Sequence, residues 1–129
     1  MVTTLAALVF ATLALGVIAF QIALAVGLPW GAYAMGGAFP GRYPPAMRAA
    51  ALVQAVVISL LAVVVLSAAG IVVPGLDNAV PWLVWMAVAF AAVALVLNAL
   101  SRSSGERRIW VPVAAGMFVS SVIVALSGG

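Results

Sequence analysis

The stretch SRSSGERR, residues 101–108, decides the fold. It is short, polar and rich in arginine, and long apolar runs flank it on both sides. Two apolar runs joined by so short a link predict an antiparallel helical hairpin. The remaining arginines, Arg42 and Arg48, lie in an earlier gap, residues 27–48. Between these gaps a third one, residues 70–81, holds Asp77 and no positive charge. Arginine-bearing gaps therefore alternate along four apolar runs. A hydrocarbon core about 30 Å thick needs about 20 helical residues to cross it. The chain is thus expected to be all-α: an integral membrane four-helix bundle made of two antiparallel hairpins. Spans are expected near 5–25, 47–69, 81–100 and 106–126.

Composition points the same way. Of 129 residues, 68% are apolar and 5% are charged. A soluble domain carries about 25% charge. Four spans leave room for three loops and two short tails, so a single membrane domain over 1–129 is expected. The net charge of +3 resides in the loops and gives no reason to expect nucleic acid as a partner. The chain has no lysine, and alanine and valine dominate it, a bias typical of a GC-rich bacterial genome. With neither cysteine nor histidine, thiol redox chemistry, thiolate metal sites and histidine acid–base catalysis have no residues to act through. No cofactor or metal is expected.

The first run begins MVTT, without the positive start of a secretory signal, and is too long for one. It is expected to stay as a helix. The first gap reads GLPWGAYAMGGAFPGRYPPAMR. Its glycines and prolines forbid a regular helix, yet its aromatics are too apolar for a solvated linker. It is expected to lie along the membrane surface or dip into it. The second gap has the turn chemistry of PGLDN, residues 74–78, and Pro81 suits the first turn of the third helix. In the last gap, Ser103 and Glu106 have capping-box spacing. This favours an early helix start, with Pro112 inside the helix and a bend expected near it, over a short helix that starts at Pro112. Small residues recur at four-residue spacing (Ala51, Ala55 and Ser59; Ala87 and Ala91; Gly116 and Ser120), allowing close helix approach.

Both arginine gaps must lie on one side of the membrane. Cytoplasmic loops carry the excess of positive residues, so residues 27–48 and 101–108 are expected in the cytoplasm of a bacterial inner membrane, with both termini outside. Gln21, Gln54 and Asn98 then fall near that same end of their helices. Amides in hydrocarbon are costly unless paired, so all three should face inward. They serve either as hydrogen-bonded links between helices or as walls of a pocket. In the pocket reading, Trp30 and the first loop form a lid. Arg42, Arg48, Arg102 and Arg107 then stand at the rim, where guanidinium groups suit an anionic head. Glu106 reads as a cap or as an ion-pair partner of Arg102 or Arg107.

Two stretches carry a resemblance: GLPWGAYAMGG at 27–37 with Pro40, Gly41, Pro44, Pro45 and Arg48, and NALSRS at 98–103 with Glu106, Arg107, Trp110 and Pro112. Together they resemble a family of small bacterial four-helix membrane proteins with no assigned activity. The resemblance covers nearly the whole chain and implies that the two arginine-bearing loops form one unit.

Three functions fit these residues. The first is a non-enzymatic membrane protein that binds lipids or a membrane partner, with self-association through the small-residue ridges. The second is a carrier for a small lipid- or quinone-like amphiphile. The third is an enzyme acting on a lipid headgroup, with Glu106 as acid–base and the arginines holding phosphate. Ser103 and Ser104 have no visible base, so nucleophilic catalysis has no support.

Overall fold

The computed structural model describes residues 2–72 and 82–127. Among them are four long helices: α1 (Val2–Ala25), α2 (Pro45–Ala68), α3 (Leu83–Ala99) and α4 (Ser104–Ser127). No strand occurs among the described residues. α1, α2 and α4 are each 24 residues long and apolar enough to cross a membrane. α3 has 17 residues, about 25 Å of helix. The chain is therefore a helical membrane bundle. The turn at 74–78 and the placement of Pro81 lie outside the described residues.

The outward faces suit hydrocarbon. Leu5, Leu15, Val53, Leu60, Val93 and Leu97 are exposed large apolar side chains, an arrangement a water-soluble surface avoids. The inward faces are small. Ala7, Ala14, Ala51, Ala55, Ala87 and Ala91 are buried. The alanine ridges on α2 and α3 are thus used within the chain, where small side chains let backbones approach. Gly116 serves the same end, since a Cβ there would stand 2.7 Å from Leu13.

α1 packs mainly against α2 and α4, and α3 mainly against α4. The α2–α3 seam closes the ring with the thinnest contact of these neighbours. The core at the end away from the arginine loops is filled by residues such as Phe10, Ile58, Val65 and Val124. Hydroxyls in the spans turn back on their own helices: Thr12 donates to the Leu8 carbonyl, Ser59 to Ala55, Ser67 to Val63, Ser120 to Met117 and Ser121 to Phe118.

Helix ends explain the loop geometry. α1 stops in a Schellman turn: Gly27 has φ +98°, its N–H donates to the Leu24 carbonyl at 3.2 Å, and the Leu28 N–H donates to Ala23 at 3.0 Å. Only a residue tolerant of the left-handed region fits there. α2 ends the same way at Gly70, with the Gly70 and Ile71 N–H groups bonded to the Ser67 and Leu66 carbonyls at 2.9 and 3.0 Å. α4 starts at Ser104 and continues through Pro112, as the capping residues predict. The Ser103 hydroxyl accepts from the Glu106 N–H at 3.1 Å.

The gap after α1 folds into two short 3-10 turns, Gly31–Tyr33 and Met35–Gly37, and docks on α4. The Ser103 hydroxyl donates to the Ala32 carbonyl at 2.7 Å, and the Trp110 indole N–H donates to the Tyr33 carbonyl at 3.0 Å. The Tyr33 ring lies so close over Gly105 that a Cβ there would be 2.5 Å from it. The two arginine-bearing loops are one unit.

Candidate functional site

Beneath that docked loop, the four helices enclose a cavity of about 560 Å³. This lies within the roughly 300–1,000 Å³ of small-molecule sites. Its lining on α4 runs from Glu106 to Met117, about 16 Å along the helix. The walls are mostly apolar and small, including Val17, Ala51, Ile58, Ala91 and Ala114. Aromatic side chains gather at the loop end, Phe20, Tyr33, Tyr43 and Trp110, while Phe90 lines the wall deeper in, beside the packed core. Trp110 packs on Phe20 with ring centres 4.7 Å apart.

The three amides expected to face inward all line this cavity. They do not bond to one another. Asn98 turns its amide nitrogen to the Ala94 carbonyl of its own helix at 2.7 Å. A carbonyl only accepts, so this fixes the amide and leaves the Asn98 Oδ1 for the cavity. Gln21 and Gln54 are half-buried, and neither has a hydrogen bond to another described residue. The helices therefore gain no amide-to-amide link here. The polar ends remain available inside the cavity.

The arginines behave differently from the expected rim. None of them lines the cavity. The Arg48 Nε donates to the Ala25 carbonyl at 2.8 Å, at the C-terminus of α1. The Arg42 guanidinium covers Gly27, where a Cβ would stand 2.8 Å from its Nε. Arg107 donates to the Ser101 carbonyl, just beyond the end of α3. Arg102 is exposed. Orphan carbonyls and the negative end of the helix dipole gather where α1 and α3 stop, and a cation is favoured there. Arg48 thus serves the end of α1 and Arg107 the link just after α3, and neither lines the cavity. Trp30 also lies outside the lining. It is exposed and stacks on Phe20 at 6.4 Å and 6° between planes.

Among the described residues, the one charged side chain that lines the cavity is Glu106. Its side chain is 6% exposed. The expected capping box closes on one side only: the Ser103 hydroxyl caps the Glu106 N–H, while the Ser103 N–H takes the Ser101 hydroxyl at 3.1 Å. The carboxylate turns instead across the bundle to the Gly36 N–H, 3.3 and 3.4 Å from its two oxygens. Gly36 has φ +65° and the preceding Met35 has φ +53°, so the loop tip holds a left-handed turn that presents this N–H. A carboxylate in the first turn of α4 also sits at the positive end of that helix. Nearby, burial pushes the Tyr43 phenol above its ordinary pKa, and the Glu106 charge adds to the effect.

Of the lining residues, Tyr33, Met35, Ala50 and Leu97 are exposed. Ala50 and Leu97 flank the thin α2–α3 seam. The cavity wall therefore reaches the outer surface at the loop and on the sides of α2 and α3. In the sequence Tyr33, Met35 and Tyr43 stand out as too apolar for a linker, but nothing there marks them, or Phe20, Phe90 and Trp110, as cavity residues. Comparison of the chain with protein-family models, with curated proteins and with solved structures finds no match.

Proposed function

We propose that this protein is a non-enzymatic membrane protein that binds a small amphipathic molecule in the cavity under its docked loop. The supporting observation is the combination of a ligand-sized apolar chamber with polar groups at one end only. Gln21, Gln54, Asn98 and Glu106 cluster near the loop, while the deeper wall runs through Ile58 and Met117. A molecule with a polar head and one apolar tail matches that gradient. The exposed wall on the sides of α2 and α3 suits a ligand arriving from the membrane. The cavity runs about 16 Å along α4, half of a hydrocarbon core of about 30 Å, which suits binding within one leaflet. Transport across the membrane has less support, because the far half is packed with Phe10, Val65 and Val124. The headgroup-enzyme reading also loses its basis, since no arginine lines the cavity beside Glu106.

Native mass spectrometry of protein released from mild detergent tests this reading. A chain carrying one small-molecule adduct, lost in Ala94→Phe, is expected. Ala94 lines the cavity and is half-buried, so a larger side chain fills space without displacing the packed core. Wild-type protein without an adduct, which also fails to take up any long-chain amphiphile when one is supplied, would refute it.

The positive residues favour a bacterial inner membrane with residues 27–48 and 101–108 in the cytoplasm. Because the chain has no cysteine, Arg102→Cys gives a single reporter. Labelling by a membrane-impermeant maleimide in inverted vesicles, and not in intact cells, is expected; the reverse pattern overturns the orientation.

A further inference from the structure

The chemistry of the cavity's polar end points to a head group opposite in sign to the one the arginines suggest. Among the described residues, the only charged lining side chain is a carboxylate, and it is underused. An ionised carboxylate offers about four acceptor positions. Among the described residues, the Glu106 carboxylate accepts from one donor, the backbone Gly36 N–H, at 3.3 and 3.4 Å. Charge-assisted bonds to carboxylates are shorter, roughly 2.7–2.9 Å. A buried charge is costly unless paired. Asn98 Oδ1 adds an acceptor, because the Asn98 nitrogen is committed to Ala94. Gln21 and Gln54 can each turn a carbonyl oxygen toward the same space. Phe20, Tyr33, Tyr43 and Trp110 also line this end, and aromatic side chains are favourable neighbours for a cation. The arginines do not oppose this, since Arg48 and Arg107 are bonded to backbone carbonyls and neither lines the cavity.

We propose that the cavity selects a single-chain amphiphile with an amine head, seated with its N–H groups toward Glu106 and the amides and its chain toward Met117. This rests on the ligand-binding reading above and specifies the class of molecule it takes. The amine could be a free alkylamine or the headgroup of a single-chain (lyso) aminolipid; the recognition chemistry is shared.

The test is a binding titration on full-length protein in nanodiscs of neutral lipid, with three probes of equal chain length: a primary alkylamine, an alcohol and a carboxylate. The amine is expected to bind best. Glu106→Gln is expected to weaken amine binding about tenfold to a hundredfold and to leave the alcohol unchanged. Gln keeps an oxygen for the Gly36 N–H, so the loop stays docked; unchanged loop protection from trypsin checks this. Ala94→Phe should weaken every probe. Displacement of bound amine by a single-chain (lyso) aminophospholipid marks a lipid headgroup as the source, and no displacement marks a free amine. Equal binding of amine and alcohol, both lost in Ala94→Phe and neither altered by Glu106→Gln, overturns the amine assignment and leaves the cavity reading intact. Binding of no probe, or binding that Ala94→Phe does not alter, overturns both.

Discussion

At the residue scale, Glu106 shows how a local pattern can be right and still mislead. The spacing of Ser103 and Glu106 correctly marks the start of α4, and Ser103 does cap it. The same spacing cannot say where the glutamate side chain goes. Its partner is Gly36, 70 positions earlier, and that meeting depends on how the loop docks. Tyr43 beside it carries a pH prediction. Its phenol is raised in the folded state by burial and by the Glu106 charge, so the folded form disfavours tyrosinate more than the unfolded chain does. The stability this contributes is full below the ordinary tyrosine value of about 10. It is lost as pH rises through the higher folded value. A tyrosinate absorbance titration of the folded protein should show an upward-displaced step that Tyr43→Phe removes; an undisplaced titration contradicts the burial of that ring.

At the scale of elements, the arginines read as topology signals in the sequence, and in the structure Arg48 and Arg107 bond backbone carbonyls at or just past helix ends. The two roles are compatible, because α1 and α3 both end on the arginine-bearing side. Which carbonyl each guanidinium meets was not legible: Arg48 reaches Ala25 across 23 positions, a contact set by how α2 leans on α1. Arg48→Ala removes a charged donor from a half-buried helix end. It should cost about 1–2 kcal/mol, measured by denaturant titration of helicity in detergent, with Arg48→Lys recovering part of it. A change of less than a few tenths of a kcal/mol would mean that the end of α1 does not depend on Arg48. The helices themselves were largely legible. Expected spans at 5–25, 47–69 and 106–126 lie close to Val2–Ala25, Pro45–Ala68 and Ser104–Ser127, because apolar length alone demands them. The loop at 27–48 was legible only as irregular. Its own fold relies on close approaches such as Gly31, where a Cβ would collide with the Phe39 carbonyl oxygen of the same loop.

At the scale of the whole molecule, the convergence of Gln21, Gln54 and Asn98 followed from threading the helices in alternate directions. Their failure to pair did not, since it depends on the small side chains of Ala51, Ala91 and Ala94 leaving a chamber between them. The far half is filled by buried side chains such as Phe10, Val65 and Val124, and its hydroxyls bond back to their own helices. The bundle thus divides into a packed end and an open end, and the open end lies under the docked loop. Cysteine accessibility measures that division directly, because the native chain has no cysteine. Ala94→Cys in the cavity wall and Ala14→Cys in the packed half are compared with a small, membrane-soluble thiol reagent. Residue 94 is predicted to react and to be protected by a saturating long-chain alkylamine, while residue 14 stays unreactive. Equal reactivity at the two positions, or no reaction at residue 94, would contradict the existence of the cavity.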